Sequence, residues 1–163
     1  MNIIETSKNH IFIIRALADE IWPHTFQDIL PKEQIAYMMD MMYSQSSLEK
    51  QMDEGHHYLL AEEDGEYLGY VSYELNYKNS GITKIHKIYI LPSLQGKGVG
   101  RFFINAVAEI AQSNNSHGLS LNVNRYNKAI EFYQRMGFEY YMTEDIDIGN
   151  GFVMEDYIMN KKL

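Results

Sequence analysis

Between Leu94 and Phe102 the chain reads QGKGVGR, and the apolar run FFINAVAEIA follows at once. Glycines this close to a helix start cost conformational entropy unless the backbone needs their freedom. A helix N-terminus presents unpaired N–H groups and about half a positive charge, which together attract an anion. Gly96, Gly98 and Gly100 let successive N–H groups point into one concavity, and Lys97 and Arg101 add cationic character. The chemistry is that of a phosphate site, for a nucleotide or for a cofactor carrying a pyrophosphate.

Two familiar phosphate loops fail on spacing. A P-loop needs Ser or Thr after Gly-Lys and a glycine five residues upstream. Here Gly98 follows Gly96-Lys97, and Leu91 stands upstream. A dinucleotide fingerprint needs a third glycine where this chain has Arg101. What remains is Q-x-x-G-x-G, formed by Gln95, Gly98 and Gly100.

Proton chemistry has fewer candidates. Tyr133, in NRYNKAIEFYQRMGFEYY, carries a phenol that stays protonated at neutral pH and can give its proton away. Its helix alone leaves a second reading open, a core aromatic whose hydroxyl bonds to backbone. His86, in IHKIYI, has an intrinsic pKa suited to a base, although a single strand histidine also serves as packing. Glu74 is a second candidate. His56 and His57 are adjacent at the start of a strand and should point to opposite faces, so no metal site is expected from them. There is no cysteine, which excludes disulfides, thiolate zinc sites and a cysteine nucleophile.

The elements that must hold these groups follow from periodicity. Ile11, Ile14, Leu17, Ala18 and Ile21 predict a first helix ending near Trp22-Pro23. A second helix after Pro31 carries Ile35, Met38, Met39 and Met42, and a short third covers 46–53. Residues 57–63 and 67–75 read as a hairpin around Asp64-Gly65, and 83–91 as a strand stopped by Pro92. A helix from Val99, a strand at 117–123, a helix at 127–136 and strands at 138–145 and 152–159 complete the order. Gly137 is placed to end the last helix in a left-handed conformation. The pattern is α/β or α+β, a sheet with helices on it. At 163 residues with 45% hydrophobic content, the chain is expected to be a single domain over 1–163.

Gln95, Gly98 and Gly100 resemble the acyl-coenzyme A signature of the GNAT superfamily of N-acetyltransferases. Asn127, Ala129, Phe132, Tyr133, Gly137 and Phe138 follow the order of the second pattern, which closes the cofactor site in that superfamily. The resemblance implies a mixed, mostly antiparallel sheet of about seven strands flanked by helices. It implies acetyl-CoA as donor and a primary amine as acceptor, with direct attack in a ternary complex. Gln95, Gly96, Lys97, Gly98, Val99, Gly100, Arg101 and Asn127 would hold the cofactor, and Tyr133 would protonate the leaving thiolate. A backbone N–H of Tyr89, Ile90 or Leu91, with Ile90 the first choice, would meet the thioester oxygen. His86 stands where many relatives have a glutamate base. Trp22, Phe26, Tyr37 and Glu74 are the expected acceptor-side residues. The segments WPHTF, MMYS and IEFYQRMGF are similar to bacterial polyamine or diamine acetyltransferases. Transfer to protein N-terminal amines and a non-catalytic acyl-CoA-binding role are the alternative readings.

A formal net charge of −8 opposes nucleic acid binding and suits a cationic small molecule. No apolar run is long enough for a membrane span, and Met1–Glu5 lacks the basic start of a signal peptide. A cytoplasmic protein is expected, and a homodimer is compatible with the resemblance.

Overall fold

Asp64 and Gly65 both adopt positive φ, +53° and +81°, as a two-residue hairpin turn requires. They join β2 (His57–Glu63) to β3 (Glu66–Glu74), and β4 (Thr83–Ile90) pairs antiparallel with β3. These elements belong to a computed structural model that describes residues 1–163. Before them come β1 (Asn2–Glu5), α1 (Ile11–Phe26), α2 (Lys32–Tyr43) and α3 (Gln45–Asp53). After them α4 (Val99–Ser113) crosses over to β5 (Gly118–Asn124), which runs parallel to β4. Then follow α5 (Ala129–Arg135), β6 (Glu139–Gly149) and β7 (Phe152–Lys162), with β7 inserted between β5 and β6. The result is one mixed seven-stranded sheet, antiparallel except at β4–β5, in the order β1-β2-β3-β4-β5-β7-β6.

Two elements differ from the sequence reading. β1 is a four-residue edge strand, too short to show any period, and it supplies the seventh strand. Pro23 does not end the first helix, which continues to Phe26. The bond that Pro23 cannot make belongs to the carbonyl of Asp19, an exposed residue where water can replace the missing donor.

The sheet separates two apolar cores. α4 and α5 pack on one face over Leu59, Val71, Ile85, Leu121 and Val123. α1, α2 and α3 cover the other over Tyr58, Leu60 and Tyr70. At the middle of the sheet the layers are breached. β4 and β5 pair only from Thr83/Leu119 to Ile85/Leu121, whereas β4 stays with β3 to Ile90 and β5 stays with β7 to Asn124. Beyond Ile85 the two central strands part like a wedge. The parting begins at a β-bulge: Ser72 pairs with Lys87 and Tyr73 with Ile85, leaving His86 unpaired.

Candidate active site

The wedge exposes backbone donors. The Leu91 N–H bonds to the Leu68 carbonyl at 3.0 Å, which makes Leu68/Leu91 a hydrogen-bonded pair and Gly69/Ile90 a non-bonded one. That alternation turns the Ile90 N–H away from β3 and into the gap left by β5. The gap opens into one cavity of about 880 Å³ that runs through both layers. Gln95, Gly96, Gly98, Gly100, Arg101, Asn127, Phe132 and Tyr133 line it on the α4–α5 side. Trp22, Phe26, Gln34, Met38, Met154 and Asp156 line it on the α1–α2 side, and His86, Tyr89 and Ile90 lie between. Leu91, Lys97 and Val99 are not on its wall; Val99 is buried in the core instead.

The three glycines have two different jobs. Gly96 and Gly98 have φ of +79° and +87°, and a Cβ on either would meet nothing within 4 Å. They shape the turn and leave room in front of it. Gly100 is helical, and a Cβ there would lie 2.9 Å from the Phe132 ring, so it is required for packing of α4 against α5. The first bond of α4 runs from the Phe102 N–H to the Gly98 carbonyl, 3.0 Å, leaving the N–H groups of Val99, Gly100 and Arg101 without helical acceptors. This end of α4 fits a phosphate-bearing cofactor.

Tyr133 is buried on α5 and packs edge-on against Phe132 and Phe138. Its hydroxyl makes no hydrogen bond within the protein, and the residue lines the cavity. Burial pushes the phenol well above its ordinary pKa, so the group holds its proton. Asn127, just before α5, accepts the Ala129 N–H at 2.9 Å, and Gly137, with φ +92°, follows the end of the helix.

The opposite wall is aromatic and polar. The Trp22 indole N–H donates to the Tyr43 hydroxyl at 2.9 Å, and Tyr70 donates to the same oxygen at 2.6 Å. Trp22 also packs against Phe26 and Tyr89. Lys87 is buried beside them, donating to Gln51 and Tyr58 at 2.7 and 2.5 Å, and burial lowers its pKa to about 7. Asp156 is buried on the cavity wall, where it accepts from Asn122 at 3.2 Å, and burial raises its pKa.

Of the acceptor-side residues expected from the sequence, Trp22 and Phe26 are on the wall and two are not. Tyr37 donates to the Ile148 carbonyl at 2.6 Å and stacks on Phe152, so it ties α2 to the β6–β7 hairpin. Glu74 lies behind His86, 3.0 Å from its Nε2 and 3.3 Å from the Nε2 of His56. Burial drives His86 down to about 4, which makes it a weak proton acceptor. Sequence reasoning missed Asp156 and Lys87. Asp156 had a signal: it shares a strand face with Met154 and Ile158, an acid in an apolar register. Lys87 had none, because its partners come from α3 and β2.

A sequence profile of the acetyltransferase (GNAT) family matches residues 14–138. The chain belongs to that family. Members of the GNAT family use acetyl-CoA as acyl donor. An uncharacterised N-acetyltransferase of Methanocaldococcus jannaschii is 33% identical over 87 residues, covering 50% of this chain and 38% of that protein. Streptothricin acetyltransferase of Streptomyces lavendulae is 33% identical over 78 residues, 47% of this chain and 41% of that one. The chain thus spans about half the length, or less, of such curated relatives. Among solved structures, the PaiA N-acetyltransferase of Thermoplasma acidophilum in complex with coenzyme A superposes with a TM-score of 0.81 at 22% identity, over 100% of both chains. That likeness is one of fold.

Proposed function

We propose that the protein transfers the acetyl group of acetyl-CoA to a primary amine. When bound, acetyl-CoA supplies a thioester carbonyl for attack and a thiolate as leaving group. Gly96, Gly98 and the free N–H groups at the start of α4 hold the pyrophosphate, with Arg101 beside them. The Ile90 N–H, turned into the wedge, faces the negative charge that develops on the carbonyl oxygen. Tyr133 gives its proton to the departing sulfur. The observation that carries this reading is Tyr133, a buried residue on the cavity wall with no side-chain hydrogen bond to the protein.

On the other side of the sheet, Trp22, Phe26 and Met38 form an apolar wall and Asp156 supplies its only buried carboxylate. An alkyl ammonium has a pKa near 10 and must lose a proton before it attacks. In our reading Asp156 draws the ammonium to the wedge and takes that proton. His86, with its lowered pKa and its Nε2 held by Glu74, is less suited to this task than the sequence suggested. A flexible diamine or polyamine suits a cavity with apolar walls, one internal carboxylate and a chain of net charge −8.

The test is thiol release from acetyl-CoA with spermine, spermidine, putrescine, aminoglycosides and short peptides as acceptors. With the best acceptor, Tyr133→Phe should lower kcat about 100-fold or more, while acetyl-CoA affinity by calorimetry stays within about twofold. An unchanged kcat removes Tyr133 from the chemistry. Acetyl-CoA binding without thiol release for any acceptor favours the non-catalytic role.

A further inference from the structure

At His86 on the cavity wall, three side chains from separate parts of the chain converge. His56 precedes β2, Glu74 ends β3, and His86 is the bulged residue of β4. Glu74 Oε1 lies 3.3 Å from His56 Nε2 and 3.0 Å from His86 Nε2, and all three donor atoms are within 4.8 Å of one another. We propose that His56, Glu74 and His86 form a binding site for one divalent transition-metal ion of the zinc class. This inference does not depend on the acetyl-transfer reading.

The distances fit an ion. Bonds of about 2.0–2.1 Å in tetrahedral geometry give ligand–ligand separations of about 3.3–3.4 Å. Two imidazoles and one carboxylate form a donor set for zinc and its neighbours, whereas magnesium and calcium prefer oxygen. The side chains of both histidines are 20% exposed and that of Glu74 26%, so an ion can reach them and water can complete its coordination. The imidazole rings are stacked 4.1 Å apart and 3° from parallel. Two imidazolium cations would repel at this separation, so at least one ring is neutral and offers a lone pair. Capture requires each ring to tilt toward the ion about χ2, a soft torsion. Lys87 and Lys84 oppose a cation here and Glu54 favours it, while the Tyr77 ring closes one side of His86.

His57 is a built-in control. It turns to the other side of the strand and stacks on Tyr73, 5.1 Å between centroids. His57 thus points away from the cluster, while strand pairing brings its neighbour His56 to Glu74.

The full chain, stripped with EDTA, is titrated with Co²⁺ and the visible d–d absorption is followed, with Zn²⁺ calorimetry in parallel. One equivalent should bind, Zn²⁺ should displace Co²⁺, and Zn²⁺ should raise the melting temperature. Glu74→Gln, which keeps the side-chain volume, and His86→Ala should each weaken binding by about 100-fold or more. His57→Ala should change nothing. Absence of a Co²⁺ spectrum and of Zn²⁺ heat in the wild-type protein overturns the proposal. So does binding undiminished in the His56→Ala/His86→Ala double variant.

Discussion

The two faces of this sheet are built by opposite means. Under α4 and α5 the core is held by apolar packing, with Phe103, Ile104 and Val107 set on Val71, Ile85 and Leu121. Under α1–α3 the core holds two separate hydrogen-bonded groups: Trp22 and Tyr70 both donate to Tyr43, while Tyr58 donates to Gln51 and accepts from Lys87. Apolar packing fixes shape but has little directionality, so the donor side can hold any ligand that fits its turn and helix end. Buried polar chains fix direction, because an unpaired member is costly in a low-dielectric interior. The α1–α3 face, proposed above to take the acceptor, is therefore where geometry is set residue by residue.

The strongest way to break this contrast is Phe103→Ala. Phe103 is fully buried on the donor face, and its loss should cost about 3–5 kcal/mol through burial and cavity terms. Urea unfolding measures it. A cost below about 1 kcal/mol would mean that this face can collapse and is not the rigid holder described. Tyr70→Phe probes the other face with one atom. It should cost about 1–2 kcal/mol, because Tyr43 loses a donor while ring packing is kept. Tyr43 also holds the Trp22 indole at the cavity wall, so the acceptor KM should rise while acetyl-CoA affinity stays the same. Equal changes in both would show that the two sides are not separable.

The same contrast governs what was legible in the sequence. Donor-side features are local: the glycine turn, the α4 stripe and the Asn127–Phe138 segment each lie within a few helical turns, so spacing reveals them. Even there, spacing could not show that Gly100 serves packing against Phe132 while Gly96 and Gly98 serve the turn. Six strands were readable from alternation, and β1 was too short to carry any. The acceptor side is assembled from distant segments. His56 meets His86 only because of strand pairing and a bulge, and Tyr37 finds its partner in the β6–β7 hairpin. A periodic pattern carries no information about such meetings. Asp156 was the exception, since an acid in an apolar register is visible in one strand.

Asp156 gives the smallest and most discriminating expected effect. Burial raises its pKa, partly offset by Asn122, Lys84 and Arg125, while Glu144 reinforces the shift. The folded state therefore binds a proton more readily than the unfolded chain, whose carboxyl titrates near 4. Stability falls as pH rises from the unfolded pKa through the folded one, and the ionised carboxylate remains a burden at neutral pH. Asp156→Asn keeps the volume and removes that charge. It should be more stable than wild type at neutral pH by up to about 1 kcal/mol, and the difference should shrink toward about pH 4. The same change should raise the KM for the amine and lower kcat, because it removes the carboxylate proposed to draw in the ammonium. Gain of stability with loss of activity marks a residue retained for chemistry at the expense of folding. A variant that is less stable at neutral pH, or that keeps full activity, would place Asp156 in the polar scaffold with Asn122 and Lys84 and leave the acceptor amine to another group.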